Sequence, residues 1–192
     1  DPTAGTLVCR ASDGSADLTR LQERTYQALR LMKQTPFTQP LPWTEKNLYD
    51  WFKSTVRGIR YYPTTASFCC SPSDYIVVSP GNLAALKNLT VDWVASLMVL
   101  YTHEARHHEH DGHTCASNDQ TIGELGSWGV QYYLDEWLAT KTGAYYGPYT
   151  TTFAFSAKDI ATTRFCAPET GLFSGSTRPS FGVANSNGVN QA

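Results

Sequence analysis

The stretch Val91-Asp92-Trp93-Val94-Ala95-Ser96-Leu97-Met98-Val99-Leu100-Tyr101-Thr102-His103-Glu104-Ala105-Arg106-His107 decides how the rest of the chain is read. Its first eleven residues are strongly apolar and contain neither Gly nor Pro. Val94, Leu97, Met98 and Tyr101 recur at helical spacing, so a buried helix is expected to run into the polar end. Thr90 and Asp92 supply an N-cap and an acidic first turn. Residues four apart on a helix share one face, so His103 and His107 can each offer a ring nitrogen to a single metal ion at about 2.0–2.1 Å. Glu104 sits beside the first imidazole, where its carboxylate would reach a water on the metal rather than the metal itself. The competing reading is a solvated, His-rich helix end that holds no metal.

The pattern His103-Glu104-Ala105-Arg106-His107 resembles the H-E-x-x-H helix shared by the zincin superfamily of metallopeptidases. The resemblance covers Val91 to His113. It implies that His103 and His107 are zinc ligands and that Glu104 is the general base for a zinc-activated water attacking a peptide carbonyl. The fold expected on this basis is α+β and mainly α, with an active-site helix, a second packed helix and a small β-sheet.

A catalytic zinc takes three protein ligands and keeps one position open, and the third ligand has several candidates. His113 lies ten residues after His103, the spacing of the metzincin pattern H-E-x-x-H-x-x-G-x-x-H. Two departures separate this chain from that branch. His110 occupies the glycine's place, and both methionines, Met32 and Met98, precede the motif, so no methionine turn can follow it. Asp111-Gly112 is a turn signal that would reverse the chain before His113. The rival is Glu124, expected in the first turns of a second helix that starts at Asn118-Asp119-Gln120-Thr121 and continues from Ile122 to Thr140. A gluzincin supplies its glutamate ligand in that way. Glu124 also suits an ordinary first turn, where the helix dipole favours a carboxylate. His110 and Asp111 remain as further candidates, while His108 is turned away from the shared face of His103 and His107. Gly123, Gly126, Ser127 and Gly129 are poor helix formers, which suggests that another backbone or a ligand approaches closely there.

Composition places this reading in a class. The chain has 192 residues, enough for one domain with a real core, and 41% are hydrophobic against 17% charged. A formal charge of −2 leaves no basic footprint for nucleic acid. No run of 18 uncharged apolar residues exists, so no membrane-spanning helix is expected. The chain starts at Asp1 without an apolar leader, as a mature secreted protein would. Asn88-Leu89-Thr90 is an N-glycosylation sequon. Five cysteines, Cys9, Cys69, Cys70, Cys115 and Cys166, form no C-x-x-C pair. We expect two disulfides and one remaining thiol in an oxidising compartment, with Cys9 tied to Cys69 or Cys70 and Cys115 tied to Cys166.

The other segments are arranged around the central helix. Residues 1–16 read as an extended arm. Asp17 to Gln34 is an amphipathic helix with Leu18, Leu21, Thr25, Leu29 and Met32 on one face. Pro36, Pro40 and Pro42 break it, and a second helix is expected from Trp43 to Val56. Arg57 to Tyr62 and Tyr75 to Val78 read as strands, the latter suited either to the core or to pairing with an extended substrate. Thr151 to Phe155 alternates as a strand would. Tyr145, Tyr146 and Tyr149 either pack as an aromatic loop or supply a phenol that steadies an oxyanion. Residues 1–166 are thus expected to form a single catalytic domain with N-terminal helices, and residues 167–192 a flexible tail.

Together these features predict a secreted, monomeric, Zn2+-dependent endopeptidase acting on a peptide or protein, with no nucleic-acid or membrane partner. Its metal would be held by His103, His107 and a third side chain, His113 first among the candidates. Two rivals come from other classes. One is a secreted zinc- or copper-binding protein that scavenges or carries the metal, since all five histidines fall between positions 103 and 113. The other is a degenerate zincin without catalysis.

Overall fold

The computed structural model describes residues 8–10, 16–34, 41–61, 69–70, 74–79, 91–109, 112–140 and 150–167. The architecture is α+β and mainly α. A three-stranded parallel sheet, β1 (Val8–Arg10), β2 (Gly58–Tyr61) and β3 (Tyr75–Val78), stands in that order. Val8 pairs with Gly58, and Gly58 with Tyr75. The expected arm thus contributes a strand to the sheet. Ile76, Val77 and Val78 are all buried, the continuous apolar pattern of a parallel strand covered on both faces.

Helices α1 (Ala16–Gln34), α2 (Leu48–Thr55) and α3 (Val91–Glu109) pack with β3 around the main core. Ala95, Leu97, Met98, Val99, Tyr101, Thr102 and Ala105 are all buried, so α3 is surrounded, as its apolar stretch requires. The Tyr101 hydroxyl, which would be costly to bury alone, shares a 2.7 Å hydrogen bond with Thr25 Oγ1 on α1. Phe52 of α2 stacks on the same ring with centroids 6.1 Å apart. Helices α4 (Ser127–Ala139) and α5 (Thr150–Thr163) complete the fold. Leu134, Trp137 and Leu138 of α4 join the main core. Tyr132, on another side of the helix, closes a second cluster with Ile122, Ala157, Ile160, Ala161 and Phe165.

Four expectations need correction. The second helix begins at Leu48, not Trp43, because Leu41 to Thr44 close a turn (Thr44 N–H to Leu41 C=O, 3.1 Å). Asn47 then caps the helix by accepting the Asp50 amide at 2.9 Å. The helix expected to run unbroken from Ile122 to Thr140 is interrupted. Ile122–Glu124 is a single 3-10 turn, Leu125 is left-handed at φ 55°, and α4 starts after Gly126. Thr151 to Phe155 is helical, not extended. Burial of Phe153, Ala157, Ile160 and Ala161 against α4 follows the 3.6-residue period, and that packing outweighs the strand propensity of the threonines. Cys69 lies at disulfide distance from its neighbour Cys70 rather than from Cys9, whereas Cys115 and Cys166 are paired as expected. No helix among the described residues is long and apolar enough to cross a membrane. The sequon at Asn88 and residues 168–192 lie outside the described residues.

Candidate metal centre

Helix α3 presents His103, Glu104 and His107 in its last two turns, and the loop after it brings back His113. One ring nitrogen from each of His103, His107 and His113 lies within 4.8 Å of the others. The ring centroids are 5.1 Å apart for His103 and His107, 5.6 Å for His103 and His113, and 4.7 Å for His107 and His113. This group could hold a metal ion.

The chemistry of the donors fits that use. Burial, reinforced by the neighbouring His107 and His113, pushes His103 down to about 3, against the pull of Asp119 and Gln131. The ring is therefore neutral across the physiological range, as a ligand must be. His103 Nδ1 is buried without a hydrogen-bond partner. A buried, unsatisfied ring nitrogen is costly and marks a place where an ion or a water completes the shell.

Glu104 does not join the three imidazoles. It is buried, and burial pushes its carboxyl up to about 7 despite a hydrogen bond from the Cys69 backbone amide. A carboxyl at that value exchanges protons near neutral pH.

The loop that returns His113 is fixed at several points. Cys115 and Asn118 exchange two 2.8 Å backbone bonds around a left-handed Ala116. Cys115 is joined to Cys166 just beyond α5. Beside that link, the Asp119 amide donates to Arg164 C=O at 3.1 Å and the Cys166 amide donates to Asp119 C=O at 2.9 Å. Asp119 itself is almost fully buried. Its Oδ1 lies 2.9 Å from His113 Nδ1, and its Oδ2 accepts the Trp128 amide at 2.8 Å. Burial alone would push this carboxyl up, but the bonds from His113 and from the Trp128 and Gly129 amides outweigh it and hold the group below its usual range. The fit explains Gly126, because a Cβ there would stand 2.5 Å from Asp119 Oδ2. Gly129 is explained in the same way, since its Cβ would meet the Ile122 carbonyl at 3.0 Å. The close approach expected from these small residues is thus an approach by protein groups.

An aromatic wall flanks the histidines. Trp128 stacks on His113 at 5.6 Å and 15°, and meets His103 edge-on at 4.5 Å. Arg164 covers Trp128, 4.5 Å from the ring centroid, and Trp128 Nε1–H donates to Ser117 C=O at 3.0 Å. Arg106 Nε–H donates to the carbonyl of left-handed Leu125 at 2.7 Å, tying α3 to the turn that precedes α4.

Glu124, the rival third ligand, stands outside the histidine group. Its Oε2 accepts from Thr114 Oγ1 at 2.9 Å and from the Gln120 amide at 2.8 Å. His108 is exposed and lies 3.0 Å from Asp74 Oδ1. His110, Asp111, Tyr145, Tyr146 and Tyr149 lie outside the described residues. Sequence reasoning missed Asp119, Trp128 and Arg106 as parts of the site. Asp119 was hidden in what looked like a helix start, and only the small residues at 126 and 129 hinted that something packs there.

No family model matches the chain, and no curated protein or solved structure matches it either.

Proposed function

We propose that this chain is a secreted, zinc-dependent endopeptidase of the zincin type, with His103, His107 and His113 as the metal ligands and Glu104 as the general base. The observation that carries the reading is the convergence of three imidazoles from a helix and its following loop, next to a buried glutamate that stays out of their group. Three histidines match a known catalytic donor set for zinc, and imidazole is a ligand that zinc favours. Zinc held there would supply Lewis acidity, polarising a peptide carbonyl and acidifying water.

The chain's own residues carry the proton. Glu104 takes one from the water whose oxygen attacks the carbonyl carbon. It then returns that proton to the amine nitrogen as the C–N bond breaks. Burial keeps bulk water from levelling the basicity of this carboxylate. The two cysteine pairs at disulfide distance support an oxidising, extracellular setting.

Incubating the pure protein with a mixed peptide library, with a chelator, without one, and after restoring zinc, tests the reading. Cleavage that disappears on chelation and returns with zinc is the expected result. Stoichiometric metal uptake with no cleavage would instead point to a carrier.

A further inference from the structure

We infer that Asp119 is the positioning residue of the metal centre: by accepting Nδ1–H of His113 it fixes that ring's tautomer and turns Nε2 toward the ion. The inference rests on His113 being a ligand, as proposed above. Asp119 Oδ1 is 2.9 Å from His113 Nδ1. An ionised carboxylate only accepts hydrogen bonds, so the proton of that bond sits on the imidazole. The remaining nitrogen, Nε2, then carries the lone pair that a metal needs. Imidazole ligands are commonly oriented in this way by a carboxylate on their other nitrogen.

Asp119 is held too firmly to adapt to a misplaced ring. Its second oxygen accepts the Trp128 amide at 2.8 Å, at the start of α4. Its backbone pairs with Arg164 and Cys166 on the far side of the loop. Its carboxylate is packed against Gly126, where even a methyl group would collide with Oδ2. His113 is meanwhile stacked on Trp128, so the ring's plane is set by α4 and its proton by the carboxylate of Asp119.

Asp119→Asn separates positioning from mere scaffolding. The Trp128 amide can only donate, so the amide oxygen of the new side chain must face it. The NH2 group is then left facing His113 Nδ1, which has to accept, and the ring proton moves to Nε2. Shape and helix start are kept while the tautomer is inverted. The corresponding exchange of a buried aspartate beside a catalytic histidine is known to act through the wrong tautomer.

The test combines 15N NMR of the histidine rings in metal-free protein with zinc titration against a chelating indicator. In the wild type His113 should be protonated on Nδ1. In Asp119→Asn it should be protonated on Nε2, with helix content unchanged and zinc affinity lower by about 10- to 100-fold. A wild-type ring protonated on Nε2 would overturn the inference, even if the variant failed to fold. So would a variant that binds zinc as tightly as the wild type. The tautomer is read without metal. Wild-type protein with the expected tautomer but no zinc uptake would therefore overturn the ligand role, and with it the proposed function, for a separate reason.

Discussion

Glu104 accepts a hydrogen bond from the backbone amide of Cys69, so the carboxyl beside His103 is tied to the segment between β2 and β3. Gln at position 104 can still accept from that amide and fills the same space. Glu104→Gln should therefore keep zinc at wild-type stoichiometry while hydrolysis falls by about 10²–10⁴-fold, the usual contribution of a positioned general base. Metal analysis and peptide turnover on the same preparation check it. Undiminished turnover would remove the proton-transfer role.

His113 and Glu124 compete for the third ligand position, and the geometry separates them. His113→Ala should lose stoichiometric zinc. Glu124→Ala should retain it and show only a small loss of stability, roughly 1–2 kcal/mol, from the freed Thr114 hydroxyl proton, since the Gln120 amide still donates to Thr114 Oγ1 at 2.9 Å. The reverse pattern of metal content would move the site toward the 3-10 turn.

Much of this fold was legible because hydrophobic period and turn chemistry agreed. Helix α3, the amphipathic α1 and the strand Tyr75–Val78 fall where their patterns put them. The pairing of Cys115 with Cys166 and the approach of His113 to the motif were also expected. What escaped was decided by contacts distant in sequence. Leu125 takes a left-handed conformation that nothing local demands, with the Arg106 guanidinium on its carbonyl. The threonines of α5 favour a strand until α4 offers its helical groove. Asp119 reads as a routine capping residue, and its bond to His113 exists only once the loop has closed.

Gly126 gives that closure a sensitive point. Alanine there would place its Cβ 2.5 Å from Asp119 Oδ2 and 2.8 Å from its Cγ, and that carboxylate is already engaged by His113 and the Trp128 amide. Gly126→Ala should cost about 1–3 kcal/mol, the usual penalty for overpacking. It should also weaken zinc binding, because Asp119 cannot yield without moving His113. Urea denaturation and zinc titration of the same variant test both effects, and a loss of stability with unchanged zinc affinity would uncouple them.

The link between Cys115 and Cys166 spans 51 residues and ties the loop between His113 and Asp119 to the end of α5. Replacing both cysteines by serine should destabilise the protein by about 2–4 kcal/mol, since the unfolded chain regains that loop's freedom. Zinc affinity should fall as well, the loop then being held by hydrogen bonds alone. Equilibrium unfolding with and without zinc measures both. An equal loss of stability in the two conditions would show that the link serves the fold and not the site.

Asp135 supplies a further pH dependence, next to the histidine group through Gln131, which bonds both Asp135 and His103. Burial between α4 and α5 pushes its carboxyl up to about 7; the adjacent Glu136 adds to this, and bonds from Ser156 and Gln131 oppose it. Ser156 Oγ–H donates to Asp135 Oδ2 at 2.6 Å. The folded protein therefore holds the Asp135 proton more tightly than the unfolded chain, whose carboxyl titrates near the ordinary value of 3.8. The stabilisation is fully present below about pH 4 and is lost as pH rises toward 7. Its size is roughly 2–4 kcal/mol by the free energy of a shift of that order. Asp135→Asn cannot ionise and nearly preserves the volume, so its urea midpoint should fall less than the wild type's between pH 4 and 7. The difference between the two profiles reports the titration of Asp135 together with its coupling to Glu136. Parallel profiles would mean that Asp135 is ionised in the folded protein throughout, with Ser156 and Gln131 sufficient to hold the charge.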